Sequence, residues 1–139
     1  MTTVRSAKSK GSQFEYDCQH SLKGIYPNIY RTSERGFQLQ YDLEAEYQVF
    51  ECKRLKGMSW NQAEKFFTKL ESVAPENKTA YLLFKSNRQP CLVMAREIIL
   101  KVIRVFKFED YFGTPFTKHP STRVKKKVLE NGEKIRKGV

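Results

Sequence analysis

Phe37, Leu39, Tyr41 and Leu43 alternate with Gln38, Gln40 and Asp42, and this two-residue period is the strongest strand signal in the chain. Upstream, Phe14, Cys18 and Leu22 recur every four positions. That spacing predicts a helix over 8–24 with one apolar face, closed by Gly24. "IYPNIYR" at 25–31 reads as a short strand whose start Pro27 disturbs, and "TSERG" at 32–36 as a turn. After the alternating strand, Glu44-Ala45-Glu46 predicts a turn and Tyr47–Arg54 a second strand, which makes a hairpin. Ser59 is a good N-cap for a helix from Trp60 to Val73, with Ala63, Phe66, Phe67 and Leu70 as its buried stripe. Residues 79–85 and 90–95 predict two further strands. Residues 96–112, "REIILKVIRVFKFEDYF", fit either a helix followed by a strand or one long strand. The order α, β, β, β, α, β, β with a mixed end predicts an α/β fold, a small mixed β-sheet flanked by helices.

Composition narrows the class. The chain has 139 residues, of which 40% are hydrophobic and 13% aromatic, enough for one modest core. No run approaches the roughly 18 apolar residues of a membrane span. The N-terminus "MTTVRSAKSKGSQ" lacks the apolar core of a signal peptide, so a cytoplasmic location is expected, host-cell cytoplasm if the chain is viral. The formal net charge is +11, which argues for a polyanionic partner, nucleic acid before membrane. Much of the excess lies at the ends. Residues 118–139 form a basic tail behind a domain at 1–117, and Arg5, Lys8 and Lys10 lie near the start. Both ends read as arms able to grip phosphates. Cysteines 18, 52 and 91 form no CxxC pair, and neither a zinc site nor a disulfide framework is indicated.

The candidate chemistry lies on the hairpin. Glu51 and Lys53 are two apart on the second strand and share a face, while Phe50 and Cys52 turn to the other. Asp42 lies on the polar face of the first strand, within reach of Glu51 if the hairpin pairs as drawn. Two carboxylates converging at a sheet edge repel each other unless a cation sits between them. Hard divalent ions such as Mg2+ take oxygen ligands of this kind. Lys53 beside them is placed to orient a water or to stabilise charge, which is the equipment of phosphodiester hydrolysis. Glu-x-Lys alone is a common solvated face. The acid at 42 and the apolar setting "QVFECK" set this one apart.

Asp42 followed by Glu51-x-Lys53 after a short hairpin resembles the core of the PD-(D/E)xK nucleases. "K-G-x-x-F-E", Lys10 to Glu15, and "YRTSERGFQLQYDLEA" are similar to segments of the archaeal and viral Holliday-junction resolvases of that superfamily. The likeness covers about residues 8–72, and Tyr41 stands where the superfamily name has proline. It implies a restriction-endonuclease-like core with Mg2+ as cofactor, Mn2+ able to substitute. It assigns the metal to Asp42, Glu51, Glu15 and the Cys52 carbonyl. Lys53 acts on the attacking water, and Ser33 contacts a phosphate or shapes the turn. The implied partners are branched or junction DNA and a second copy of the chain, because a two-fold junction needs two sites. Arg31, Arg35, Arg54 and Lys56 flank the site and suit phosphate contacts. Gln62, Asp17 and Glu46 rank lower as site residues. His20 and His119 read as isolated, and Trp60 as a buried residue at its helix start rather than a base-stacking one. Two alternatives remain: another nuclease on the same core (nicking, restriction-like or exonuclease), or a basic nucleic-acid-binding protein without catalysis.

Overall fold

The computed structural model describes residues 13–36 and 39–120. The basic arm expected over the first ten residues, and all of the one expected at 118–139 but 118–120, lie outside the described residues. Six strands form one mixed open sheet in the order β1-β2-β3-β4-β5-β6. They are β1 Tyr30–Arg31, β2 Leu43–Glu44, β3 Gln48–Arg54, β4 Thr79–Lys85, β5 Leu92–Arg96 and β6 Ile103–Lys107. Helix α1 is described over 13–22, α2 runs over Trp60–Val73 and α3 over Phe108–Phe112. No helix among these residues is long and apolar enough to cross a membrane.

Every neighbouring pair of strands is antiparallel except β3 and β4, which run parallel from Gln48↔Thr79 to Arg54↔Lys85. A parallel pair needs a crossover, and α2 supplies it. Alternation along the strands then divides the core into two layers. Phe50, Leu83 and Val93 face Phe14, Cys18 and Leu22 of α1. Val49, Leu82 and Met94 face Ala63, Phe67 and Leu70 of α2. The helix α2 starts where Ser59 predicts. The Ser59 side chain accepts from the Gln62 amide while the Gln62 side chain accepts from the Ser59 amide. Gln62 is therefore half of a capping box rather than a site residue.

Four expectations are corrected. The described part of the alternating run, 39–42, is not strand, and β2 takes in only Leu43 of it. Thr32 takes the carbonyls of Tyr41 (2.7 Å, through Oγ1) and Asp42 (3.0 Å, through its amide), so little backbone remains for a ladder. Tyr41 joins the α2 layer and Leu43 the α1 layer, which breaks the alternation. Glu44, expected in a turn, is a buried strand residue held by Tyr30 Oη at 2.6 Å and by Lys78. In "IYPNIYR" only Tyr30–Arg31 is strand, because the segment before it turns on Ile29 N to Tyr26 O. Finally, 96–112 is neither of the forms expected. β5 ends at Arg96, a tight loop closes with Glu97 N on Val102 O, and β6 and α3 follow.

The Glu44–Lys78 pair is nearly buried, with side chains 10% and 17% exposed. Burial works against the Glu44 charge, but Lys78 and Tyr30 hold its pKa below the usual carboxylate value. Lys78→Met would leave that carboxylate without its cation. The expected cost is about 3 kcal/mol near pH 7, read as a lowered midpoint of urea unfolding. Because the folded pKa is depressed, the loss should shrink as pH falls through it.

Candidate active site

The ladder between β2 and β3 stops at Leu43↔Phe50. Beyond it the two chains part, and Asp42 fills the split. Its amide donates to Phe50 O at 2.9 Å, and its Oδ2 accepts from the Cys52 amide at 2.8 Å. The carboxylate thus replaces a missing backbone partner. The register, extended by one residue, sets Asp42 opposite Glu51. Phe50 and Cys52 direct their backbone polar groups toward β2, so the Cys52 carbonyl opens onto the same split.

Asp42 meets acids from both layers. Burial, and then the carboxylate of Glu51 beside it, push its pKa from 3.8 to about 6. Glu15 of α1 also faces it. Glu15 is raised chiefly by burial, which Arg31 opposes. Glu51 and Lys53 lie on the α2 side of β3, with Lys53 Nζ 3.7 Å from Glu51 Oε1 and 4.6 Å from the centre of the Phe66 ring. Glu15 and Glu51 thus adjoin Asp42, and Lys53 adjoins Glu51.

These groups suit a hard divalent cation by donor type, oxygens held in a half-buried site with surplus negative charge. They do not stand as a finished cage. Among the described residues no three His, Cys, Asp or Glu side chains are arranged to hold a metal ion. Glu15 is drawn to Arg31 at 2.7 Å and Glu51 toward Lys53, so each has to leave a partner to share an ion with Asp42.

The expected phosphate contacts divide. Arg31 is corrected from a DNA-binding residue to an internal one. It is buried, ion-paired to Glu15 and Glu34, and lies 4.0 Å over the Tyr16 ring, with no outward face for a phosphate. Arg31→Lys keeps the charge but not the fork, and Arg31→Ala removes both. Binding of duplex DNA by either is expected to stay within about twofold, while Arg31→Ala lowers the thermal midpoint by several degrees, as for a buried pair broken on one side. A large loss of DNA affinity in a folded variant would restore Arg31 to the interface. Ser33 is exposed in a short 3-10 helix, Thr32–Arg35, where its carbonyl accepts from Gly36. Arg35 stacks 3.9 Å over Tyr30 and is exposed. Arg54 reaches Asn87 at 3.1 Å, and Lys56 is exposed in the loop before α2.

Lys85 was not expected here, and Lys118 was expected only within the basic tail. Lys85 pairs with Arg54 across the parallel ladder, and its pKa is lowered by burial, then by Arg54, with Lys118 adding to it. Three cations crowded at the C-terminal end of β3 and β4 are a natural seat for phosphate. Only the parallel register of β3 and β4, which hydrophobic patterning does not give, could have shown it.

Other assignments change as well. Trp60 is 49% exposed, with its indole N–H on Glu64 at 2.9 Å, so it is not the buried residue expected. His20 and His119 are not isolated: their rings lie 5.8 Å apart. Asp17 accepts from the His119 amide at 2.7 Å and Ser21 Oγ from the Thr117 amide at 2.8 Å. The segment expected to leave as a tail at 118 is therefore still fastened to α1 at 119, and Asp17 has a structural task. Glu46 is exposed in the turn after β2. The three cysteines, far apart in sequence, meet in the α1 layer as free thiols. Burial pushes Cys52 up to about 12, which makes it a poor nucleophile.

A cleft of about 300 Å3 lies at the C-terminal end of α2, lined by Glu71, Glu76, Lys78 and Arg96 among others. Its lining includes none of Glu15, Asp42, Glu51 and Lys53.

No family model matches the chain, and no curated protein or solved structure matches it. The functional reading rests on the residues themselves.

Proposed function

We propose that this chain is a metal-dependent endodeoxyribonuclease of the PD-(D/E)xK type, hydrolysing phosphodiester bonds in branched DNA as a homodimer. One observation carries the reading. Asp42 and Glu51 converge where β2 leaves β3, with Lys53 beside Glu51 and the Asp42 carboxyl pushed up to about 6. A fold gains nothing from that repulsion, whereas a cation site does. The helix, three-strand antiparallel meander, helix and parallel strand agree with the restriction-endonuclease-like core that the resemblance implies.

Asp42, Glu51, Glu15 and the Cys52 carbonyl would hold Mg2+, which supplies polarisation of the phosphate and a more acidic bound water. The Cys52 amide fixes Asp42, and Glu51 sets the negative charge of the split. Lys53 carries its ammonium to the mouth of the split on the α2 side, where it orients a water and meets the charge developing on the phosphate. Arg54, Lys85 and Lys118 take backbone phosphates and position the strand without reading its sequence. A net charge of +11 strengthens that hold and makes it salt-dependent.

A second reading, a basic DNA-binding protein without catalysis, draws on the ion pairs already made by Glu15 and Glu51. One assay separates the two. The full chain is incubated with a four-way junction, linear duplex and single strand, with Mg2+ or with chelator, beside Glu51→Gln. The nuclease reading expects Mg2+-dependent cuts, strongest on the junction and absent in Glu51→Gln. Binding without cuts, unchanged by Glu51→Gln, would establish the second reading. Cuts on linear duplex alone would keep the nuclease and discard the junction.

A further inference from the structure

We propose that the β5–β6 hairpin and the outer edge of β6 are a dimer surface whose occupant is a second copy of this chain. The tip of the hairpin is apolar and bare: Ile98 is 90% exposed, Ile99 85%, Leu100 65% and Val102 45%. It is a built turn, closed by Glu97 N on Val102 O at 2.8 Å and by Lys101 at φ 58°. The four side chains offer on the order of 500 Å2, the size at which an exposed apolar patch marks an interface.

Three features point to the occupant. The first is hydrogen bonding. β6 is an outer strand, and among the described residues nothing pairs with its far edge. Glu97 and Val102 are bonded to each other, so Arg104 and Phe106 turn their backbone groups to β5. The N–H and C=O groups of Ile103 and Val105, and the N–H of Lys107, then point outward. Water satisfies such a row in a lone chain, and among macromolecules another strand matches it group for group, whereas lipid and DNA do not.

The second is charge. Arg96 is held by Glu71 in two bonds of 2.8 and 2.7 Å, and Arg104 by Glu97 at 2.8 Å. Lys101 and Lys107 remain outside these pairs, and Glu109 and Asp110 in the first turn of α3 offset them. Two copies can meet here without facing their basic surfaces, and an anionic membrane finds little to hold.

The third is self-complementarity. An antiparallel pairing about a two-fold axis at Val105 sets Ile103 against Lys107 of the other copy. Each tip then lies by the other's α3, where Tyr111 is 37% exposed. Strand edge, tip and Tyr111 together approach the roughly 800 Å2 per partner that a stable interface takes. Such a two-fold keeps both α2 layers, and so both Lys53 ammoniums, on one face of a continuous sheet. The use of this dimer rests on the nuclease reading, since a two-fold junction needs two cuts. Its existence does not.

Sedimentation equilibrium of the full chain, without DNA or metal and at high salt, tests it. Wild type is expected to be a dimer at micromolar concentration. A triple variant, Ile98→Asn with Ile99→Asn and Leu100→Asn, changes only exposed positions and should dissociate at least tenfold more readily. Lys107→Pro should do the same, because Lys107 has φ −67°, which proline adopts, and its N–H faces outward. Circular dichroism should be unchanged in both. A wild-type monomer at 100 μM, or a dimer that survives the triple variant, would overturn the surface. Survival in Lys107→Pro alone would overturn the strand pairing. Junction cleavage by a monomeric wild type would sink the dimer and leave the nuclease, and a dimer without cleavage the reverse.

Discussion

Replacing Asp42 by Asn is expected to abolish cleavage and, in the same molecule, to stabilise the fold. The two effects have one cause. Asp42 is ionised at neutral pH against burial and against Glu51, which together push its pKa from 3.8 to about 6. That shift corresponds to about 3 kcal/mol of strain on the folded state at neutral pH. Asn keeps an oxygen for the Cys52 amide and turns an NH2 toward Glu51, so a gain of about 1–2 kcal/mol should remain, several degrees in thermal midpoint. The sign follows from linkage. A carboxyl whose folded pKa is raised contributes stability below pH 3.8 and loses it as pH rises through about 6. In chelator, Asp42→Asn should therefore match wild type near pH 3.5 and exceed it at pH 7.5. The opposite dependence of the Glu44–Lys78 pair is common to both proteins and cancels in the difference. Equal midpoints at both pH values would mean that Asp42 carries no stored repulsion.

Lys53→Met is expected to separate binding from chemistry. Methionine retains an apolar chain against Phe66, where Lys53 Nζ now sits 4.6 Å from the ring centre, so the local packing should hold. The ammonium is lost from the mouth of the split. Turnover should fall at least 100-fold, in the range seen when a single charge-stabilising donor is removed. Affinity for Mn2+ should stay the same or rise, because Glu51 is released from its 3.7 Å ion pair and a positive charge has gone. DNA affinity should change little, since Arg54, Lys85 and Lys118 are untouched. Single-turnover cleavage with saturating enzyme reads the chemical step directly. Parallel loss of metal and DNA binding in a folded Lys53→Met would make the residue structural.

What the sequence disclosed follows the periodicities. The bounds of α2 and β4 were legible because each has a regular apolar stripe and a clear break before it. Glu51 and Lys53 were placed on one face by the two-residue period alone. The approach of Asp42 to Glu51 was also correct, though the reason differs. The expected long hairpin is absent, and Asp42 reaches β3 because its side chain takes the place of a backbone partner. Thr32, which captures the carbonyls of Tyr41 and Asp42, left no signal in the hydrophobic pattern. The burial of Arg31 was hidden for a similar reason: its partners Glu15 and Tyr16 come from α1, through tertiary packing. The 97–102 tip was not legible, because an apolar run there fits helix and strand alike. There an exposed run was the informative feature.

The central claim is that Asp42, with Glu51 and Glu15, gathers a divalent cation. Electron paramagnetic resonance of Mn2+ titrated into the full chain tests it most directly, with Asp42→Asn and Glu51→Gln as partners. The expected result is one saturable site per chain in the wild type, absent or at least tenfold weaker in each variant, and competed by Mg2+. A wild type that leaves Mn2+ free, or variants that bind it equally well, would contradict the claim.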